Sequence, residues 1–257
     1  PVNAIAMNHL GRALFNAGAV DEALTVFENA VKASPGYFQA WHNLGHVLRA
    51  KGNATDAAHA YAKAIDLAPY YQSALLNLAL VQMGQADNLS AAGTLRSLLL
   101  FNPKHAEALL NLGICHHILR EFLEALQAFE SAAALEPSNP RIQRHLGNLH
   151  KEIQDSTKAI ECYRRALALA PDDDDLWAEL ISTLELRTEL EAASQAVTEG
   201  LAQVPGSANI AFESAKILRR QGDNAASLAI LEGLDPKRLH PRLLQSYHYE
   251  LATTADR

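Results

Sequence analysis

Pro35, Pro69, Pro103, Pro137, Pro171 and Pro205 stand 34 residues apart, and Pro1 extends the series one step towards the N-terminus. Three of the ten prolines fall off this comb: Pro140, Pro236 and Pro241. A ring that fixes φ and carries no N–H ends helices and is excluded from central strands. Seven copies at constant spacing therefore mark the boundary of a unit repeated along the chain, which must be read as a tandem array first. Arrays grow by stacking units, so 257 residues need not mean one or two globular cores.

With the comb proline at position 32, the repeats run over 4–37, 38–71, 72–105, 106–139, 140–173, 174–207 and 208–241, the last degenerate. Residues 242–257 remain as a capping helix or a partial repeat. Position 7 reads Leu10, Leu44, Leu78, Leu112, Leu146, Leu180 and Ser214. Position 8 reads Gly11, Gly45, Ala79, Gly113, Gly147, Ile181 and Ala215; position 20 is Ala23, Ala57, Ala91, Ala125, Ala159, Ala193 and Ser227. Position 24 reads Phe27, Tyr61, Leu95, Phe129, Tyr163, Val197 and Leu231. Large residues at 4, 7 and 11 form one face of a first helix. Position 24 belongs to a second helix, and the small residues at 8 and 20 let the two axes approach. Gly18, Gly52 and Gly222, at position 15, mark the turn between them. Each unit is a helix, a tight turn and an antiparallel helix.

This pattern resembles the tetratricopeptide repeat family over nearly the whole chain. Trp41-His42-Asn43-Leu44-Gly45, Ala57, Tyr61, Ala64 and Pro69 match the family's signature at its key phases. Departures are Gln82, His116 and His150 at position 11, Ile181 and Gly200 in repeat six, and repeat seven without Leu at position 7 or a closing proline. The resemblance implies an all-α, right-handed superhelical solenoid of about seven repeats plus a C-terminal helix. It also implies a concave groove lined by positions 2, 5, 6, 9, 12 and 13 of the first helices.

Asn43, Asn77 and Asn111 share position 6. An amide donates and accepts, so such a row can clamp a peptide backbone without reading its sequence. It resembles the asparagine ladder in the superhelical arm of O-linked N-acetylglucosamine transferases, although repeats one, five, six and seven carry His9, His145, Glu179 and Glu213 there. Each hydrogen bond nets ~0.5–1.5 kcal/mol, so side-chain anchors are needed as well. Leu76, Leu80, Leu110 and Ile114 are expected along the groove, flanked by Arg12, His42 and His46 on one side and Arg144, His145 and Asn148 on the other. Repeat six is acidic at Asp175, Glu179 and Glu185. The expected ligand is an extended peptide with an apolar centre and acidic flanks. The carboxylate clamp that other family members use on chaperone tails is not reproduced, because only Asn43 fits its phases.

Other chemistry finds no support. His42, His46 and His9 have metal-like spacing, but no carboxylate or cysteine joins them. Asp172 to Asp175 opens a first helix and reads as a cap. Cys115 and Cys162 lack metal or redox spacing and read as buried apolar residues. No phosphate loop, HExxH or GxSxG is present. A net charge of −7 argues against a nucleic-acid partner, and no apolar run reaches the ~20 residues a membrane span needs.

The expected function is a non-enzymatic, cofactor-free scaffold that binds a protein or peptide in its groove, with a cytoplasmic location. A second reading is the substrate-recruiting arm of a larger glycosyltransferase or sulfotransferase, since the phase at Pro1 and the unfinished repeat at the end suggest a fragment. A third is end-to-end self-association through an apolar end.

Overall fold

The computed structural model of the protein describes residues 4–255; Pro1, the first tooth of the comb, and the end of segment 242–257 lie outside them. Among the described residues the fold is all-α. First and second helices alternate as α1 (Ala4–Asn16), α2 (Val20–Ala33), α3 (Phe38–Ala50), α4 (Ala54–Leu67), α5 (Gln72–Gly84), α6 (Asn88–Phe101), α7 (Ala106–Ile118) and α8 (Phe122–Leu135). They continue as α9 (Pro140–Glu152), α10 (Ser156–Leu169), α11 (Asp174–Leu186), α12 (Leu190–Gln203), α13 (Ala208–Gln221) and α14 (Asn224–Gly233). Two 3₁₀ turns, Pro236–Arg238 and Pro241–Leu243, lead into α15 (Leu244–Ala255). The chain divides into two compact units, one ending at Leu135 and one starting at Glu136.

The turn inside every pair is one motif repeated. Position 15 is left-handed throughout: at Gly18, Gly52 and Gly222, but also at Ala86, Arg120, Gln154 and Thr188, with φ from 61° to 65°. The next residue returns its N–H to the carbonyl at position 11, as in Ala19 to Leu14, Asp87 to Gln82 and Thr188's neighbour Glu189 to Leu184. That bond satisfies a helix-end carbonyl and reverses the chain. At Asn53, Asp87, Asp155 and Asp223 the same residue's side chain accepts from the N–H three residues on, capping the second helix.

Packing within a pair is knob against hollow. A Cβ on Gly11, Gly45, Gly113 or Gly147 would come within 2.8 Å of the ring of Phe27, Tyr61, Phe129 or Tyr163 respectively. Repeat three trades this for Ala79 against Leu95, both fully buried. Repeat six reverses the volumes. Ile181 fills position 8, Val197 is the smaller residue at 24, and Gly200 makes room for Trp177, whose ring lies 3.0 Å from the site of a Cβ. Trp177 and Trp41, at the same phase, donate their indole N–H to Pro171 and Pro35 carbonyls at 2.9 and 2.8 Å. Repeat six is therefore repacked, with its pair intact.

The polar residues at position 11 turn towards their own second helix or its cap. Gln82 accepts from Thr94 at 2.9 Å. His116 Nδ1 donates to Glu121 at 2.5 Å, and its Nε2 receives Arg96 at 3.3 Å. His150 lies 3.9 Å from Asp155. In the second unit, α15 closes the apolar end of α13 and α14. Tyr247 is buried beside Phe212 and donates to the Leu231 carbonyl, while Glu250 takes both Nε and Nη2 of Arg219.

Candidate peptide-binding surface

In the first unit, α1 and α3 bring four expected residues together. Arg12, His42, Asn43 and His46 line a pocket of about 210 Å³ with Phe15, Asn16, Phe27 and Val47. Aromatic and aliphatic carbon forms much of the lining; nitrogen donors and imidazoles form the rest. Arg12 is exposed, and among the described residues no carboxylate pairs with it. Lys51, by contrast, is already tied to Asp21.

The neighbouring polar groups form a relay between repeats. Asn43 Nδ2 donates to Asn8 Oδ1 at 2.8 Å, and Asn8 reaches the Tyr37 hydroxyl at 3.4 Å. His42 lies 3.4 Å from both the Tyr71 hydroxyl and Asn77 Nδ2, and His46 Nε2 is 3.4 Å from the same Asn77 nitrogen. An amide nitrogen only donates, and one of the two Asn77 N–H groups goes to the Ser73 carbonyl, so the two imidazoles share the other. Burial, reinforced by His46 and opposed by a hydrogen bond with Asn43, brings the His42 pKa down to about 4. His46 is lowered too, first by burial and then by Arg49. Both rings are neutral at pH 7, so the positive charge here comes from arginine. A neutral imidazole is a metal ligand in principle, but the His42 nitrogens already face Tyr71 and Asn77.

The amide row is only partly offered to a ligand. Asn77 Nδ2 also donates to the Ser73 carbonyl at 2.8 Å, so its donors are engaged within the protein. Asn111 is buried at 5% exposure. Asn43 spends one of its two N–H groups on Asn8, and among the described residues no oxygen accepts the other. Leu76, Leu80 and Ile114 are half-buried on α5 and α7. Leu110, expected as an anchor, is instead 2% exposed and inside the helix packing, so it presents no surface to a peptide.

The second unit also differs from expectation. Arg144 is bound to Asp173 at 3.2 Å and Asp175 at 3.4 Å. Asn148 Oδ1 accepts the Tyr163 hydroxyl at 2.8 Å. His145 is half-buried on α9. The acids of repeat six are neutralised in the same way, Glu179 by Lys151 at 2.9 Å and Glu185 by Arg220 and Lys216 at 2.5 and 3.3 Å. Arg144 and Lys151 are therefore not available as a basic flank for an acidic ligand. Asp173, Asp174 and Asp175 cluster closely. Asp173 caps α11, Arg144 reaches Asp173 and Asp175, and Ser207 and Asn209 donate to Asp174, so the cluster is used structurally.

Tetratricopeptide repeat profiles match residues 1–38, 9–72, 42–97 and 76–140, and a second profile of the same description matches 119–184. The chain belongs to the tetratricopeptide repeat family. A search of curated proteins finds no match. Among solved structures, a tetratricopeptide repeat protein from Parabacteroides merdae is similar at a TM-score of 0.71 and 17% identity, covering 98% of each chain. PilF of Pseudomonas aeruginosa is similar at 0.65 and 22%, over 83% of this chain and 97% of its own. YrrB, described as a tetratricopeptide protein with an unusual peptide-binding site, is similar at 0.62 and 19%, over 72% of this chain and 92% of its own. At these identities the likeness speaks for the fold. As a tetratricopeptide protein the chain fits the class of interaction scaffolds. Among its described residues no helix is long and apolar enough to cross a membrane.

Sequence reasoning missed Asn8, Tyr37 and Tyr71. The signal was present: Tyr37 and Tyr71 occupy position 34, where later repeats place His105, Asn139, Asp173 and Ser207, whose side chains cap the next first helix. A tyrosine cannot cap in that way, and in this tetratricopeptide array its hydroxyl reaches back to position 5 of the preceding first helix.

Proposed function

We propose that this protein is a non-catalytic scaffold that holds an extended protein segment against the first helices of its N-terminal unit. The segment carries an acidic side chain for Arg12 and apolar side chains for Phe15, Leu76, Leu80 and Ile114. The observation carrying this reading is the pocket around Arg12, where an unpaired guanidinium stands beside partly apolar walls and neutral imidazoles. Asn43, with one free N–H, supplies a backbone contact. An exposed ion pair nets ~0–1 kcal/mol and a buried apolar side chain ~1.5–3 kcal/mol, so the apolar contacts dominate affinity and Arg12 sets selectivity.

A peptide array scanning Asp, Glu, Asn and Gln beside leucine identifies binders. Arg12→Ala is expected to reduce the preference for the acid over its amide by about fivefold, ~1 kcal/mol, and Leu80→Ala to weaken acidic and amide peptides alike. An unchanged preference in Arg12→Ala would remove Arg12 from the site.

A further inference from the structure

The C-terminal strap of the second unit carries an arginine to two acidic residues of α11. Arg242, in the turn Pro241–Leu243, pairs with Glu179 and lies 3.8 Å from Asp175. It reaches back 63 residues. Glu179 and Asp175 occupy positions 6 and 2, two of the phases expected to face a ligand. The strap backbone is held by a third such residue: Asn209, at position 2 of α13, accepts the His240 N–H at 2.8 Å. Its amide nitrogen meanwhile donates to Asp174 and Asp175 at 3.1 and 3.2 Å, so one side chain links the acids to the strap.

The strap is not helical here. Leu239 and His240 are extended between two proline-led turns, and Leu239 is buried, anchoring the segment independently of Arg242. Beside Arg242 and Leu243 lies a pocket of about 270 Å³, lined by Ser182, Glu185, Glu213 and Lys216 among others. Burial pushes the Glu179 carboxyl up, but Lys151 and Arg242 outweigh it and hold it below the usual range. Glu179 is thus ionised while these two cations sit beside it, and Lys151 stays there when Arg242 leaves.

We infer that the surface of α11 and α13 around Glu179 and Asp175 is a recognition site for an arginine on a non-helical protein segment, occupied here by Arg242 as a built-in stand-in. A planar guanidinium suits two carboxylates at once better than an ammonium does. The partner that displaces the strap is a protein presenting such an arginine, and the open pocket beside Leu243 takes its neighbouring residue. This site is separate from the one around Arg12 and stands or falls on its own.

The test uses the full chain and N-acetyl-arginine amide, with the matching capped citrulline as control. Arg242→Ala vacates the slot while Leu239 and α15 keep the fold; Arg242→Gln, which retains much of the stem, carries the same expectation. Removing the internal competitor should tighten capped arginine by about tenfold or more over wild type, and Glu179→Gln in the Arg242→Ala background should abolish that gain. Equal uptake by wild type and both Arg242 variants, including none by any, overturns the proposal. So does citrulline binding as tightly as arginine.

Discussion

At the scale of single residues, two positions make measurable claims. Thr188 holds φ at 63°, where a β-branched side chain is strained. Gly18, Gly52 and Gly222 take the same phase without that cost. Thr188→Gly should raise stability by about 0.5–1 kcal/mol, the relieved strain exceeding the added freedom of the unfolded chain. Gly52→Thr should lower it comparably, and denaturant midpoints read both. His42 makes the second claim. Its folded pKa is about 4 against 6.5 unfolded, so between those values the unfolded state binds the extra proton. The stability it contributes is present above 6.5 and is lost as pH falls towards 4, by roughly 3 kcal/mol at most. Melting temperatures at neutral and acidic pH should fall further in wild type than in His42→Gln; carboxylates titrate in both, so the difference isolates the imidazole.

At the scale of the helix pair, volume is conserved where identity is not. Gly200 sits 3.0 Å from both Trp177 and Ile210 at the point where a Cβ would go. Gly200→Val, whose further methyls must enter the same space, should cost ~1–3 kcal/mol by overpacking, and the cost should shrink in a Trp177→Leu background. A double-mutant cycle in denaturant measures that coupling; additive losses would mean the ring and the glycine do not share one space. This pair also shows how far the sequence could be read. The 34-residue comb and the small-against-large phases foretold helix, turn and helix, because those constraints recur in every copy. Ile181 and Gly200 looked like decay when read one phase at a time, because compensation between phases has no period. The surface was less legible for the same reason. Asn43, Asn77 and Arg144 lie on the first helices named for the groove, but their bonds to Asn8, Ser73 and Asp173 depend on unlike neighbours. Periodicity marked the helices, and the particular partner decided whether a polar group remained for a ligand.

At the scale of the whole molecule, the range of its interactions limits how far damage can spread. The inter-repeat bonds of Asn43, Asn209 and Arg219 span 35, 35 and 31 residues, about one unit of the array, and the longer reach of Arg242 to Glu179, 63 residues, still stays within the second unit. A chain held by nearest neighbours behaves approximately as a one-dimensional series, in which a weak unit opens with its neighbours before the rest. Gly113→Val tests this severely, since even the first added carbon would meet the Phe129 ring at 2.5 Å. Amide hydrogen exchange should accelerate across α7 and α8 and, less strongly, α6, by about tenfold or more for each ~1.4 kcal/mol lost. Protection in α13, α14 and α15 should stay as in wild type, because among the described residues their ties reach back only as far as α11, through Asn209, Arg220 and the strap's Arg242, and not to α7 or α8. If instead every helix lost protection together, the array would have to unfold as one cooperative body, and the neighbour-limited account of its stability would fail.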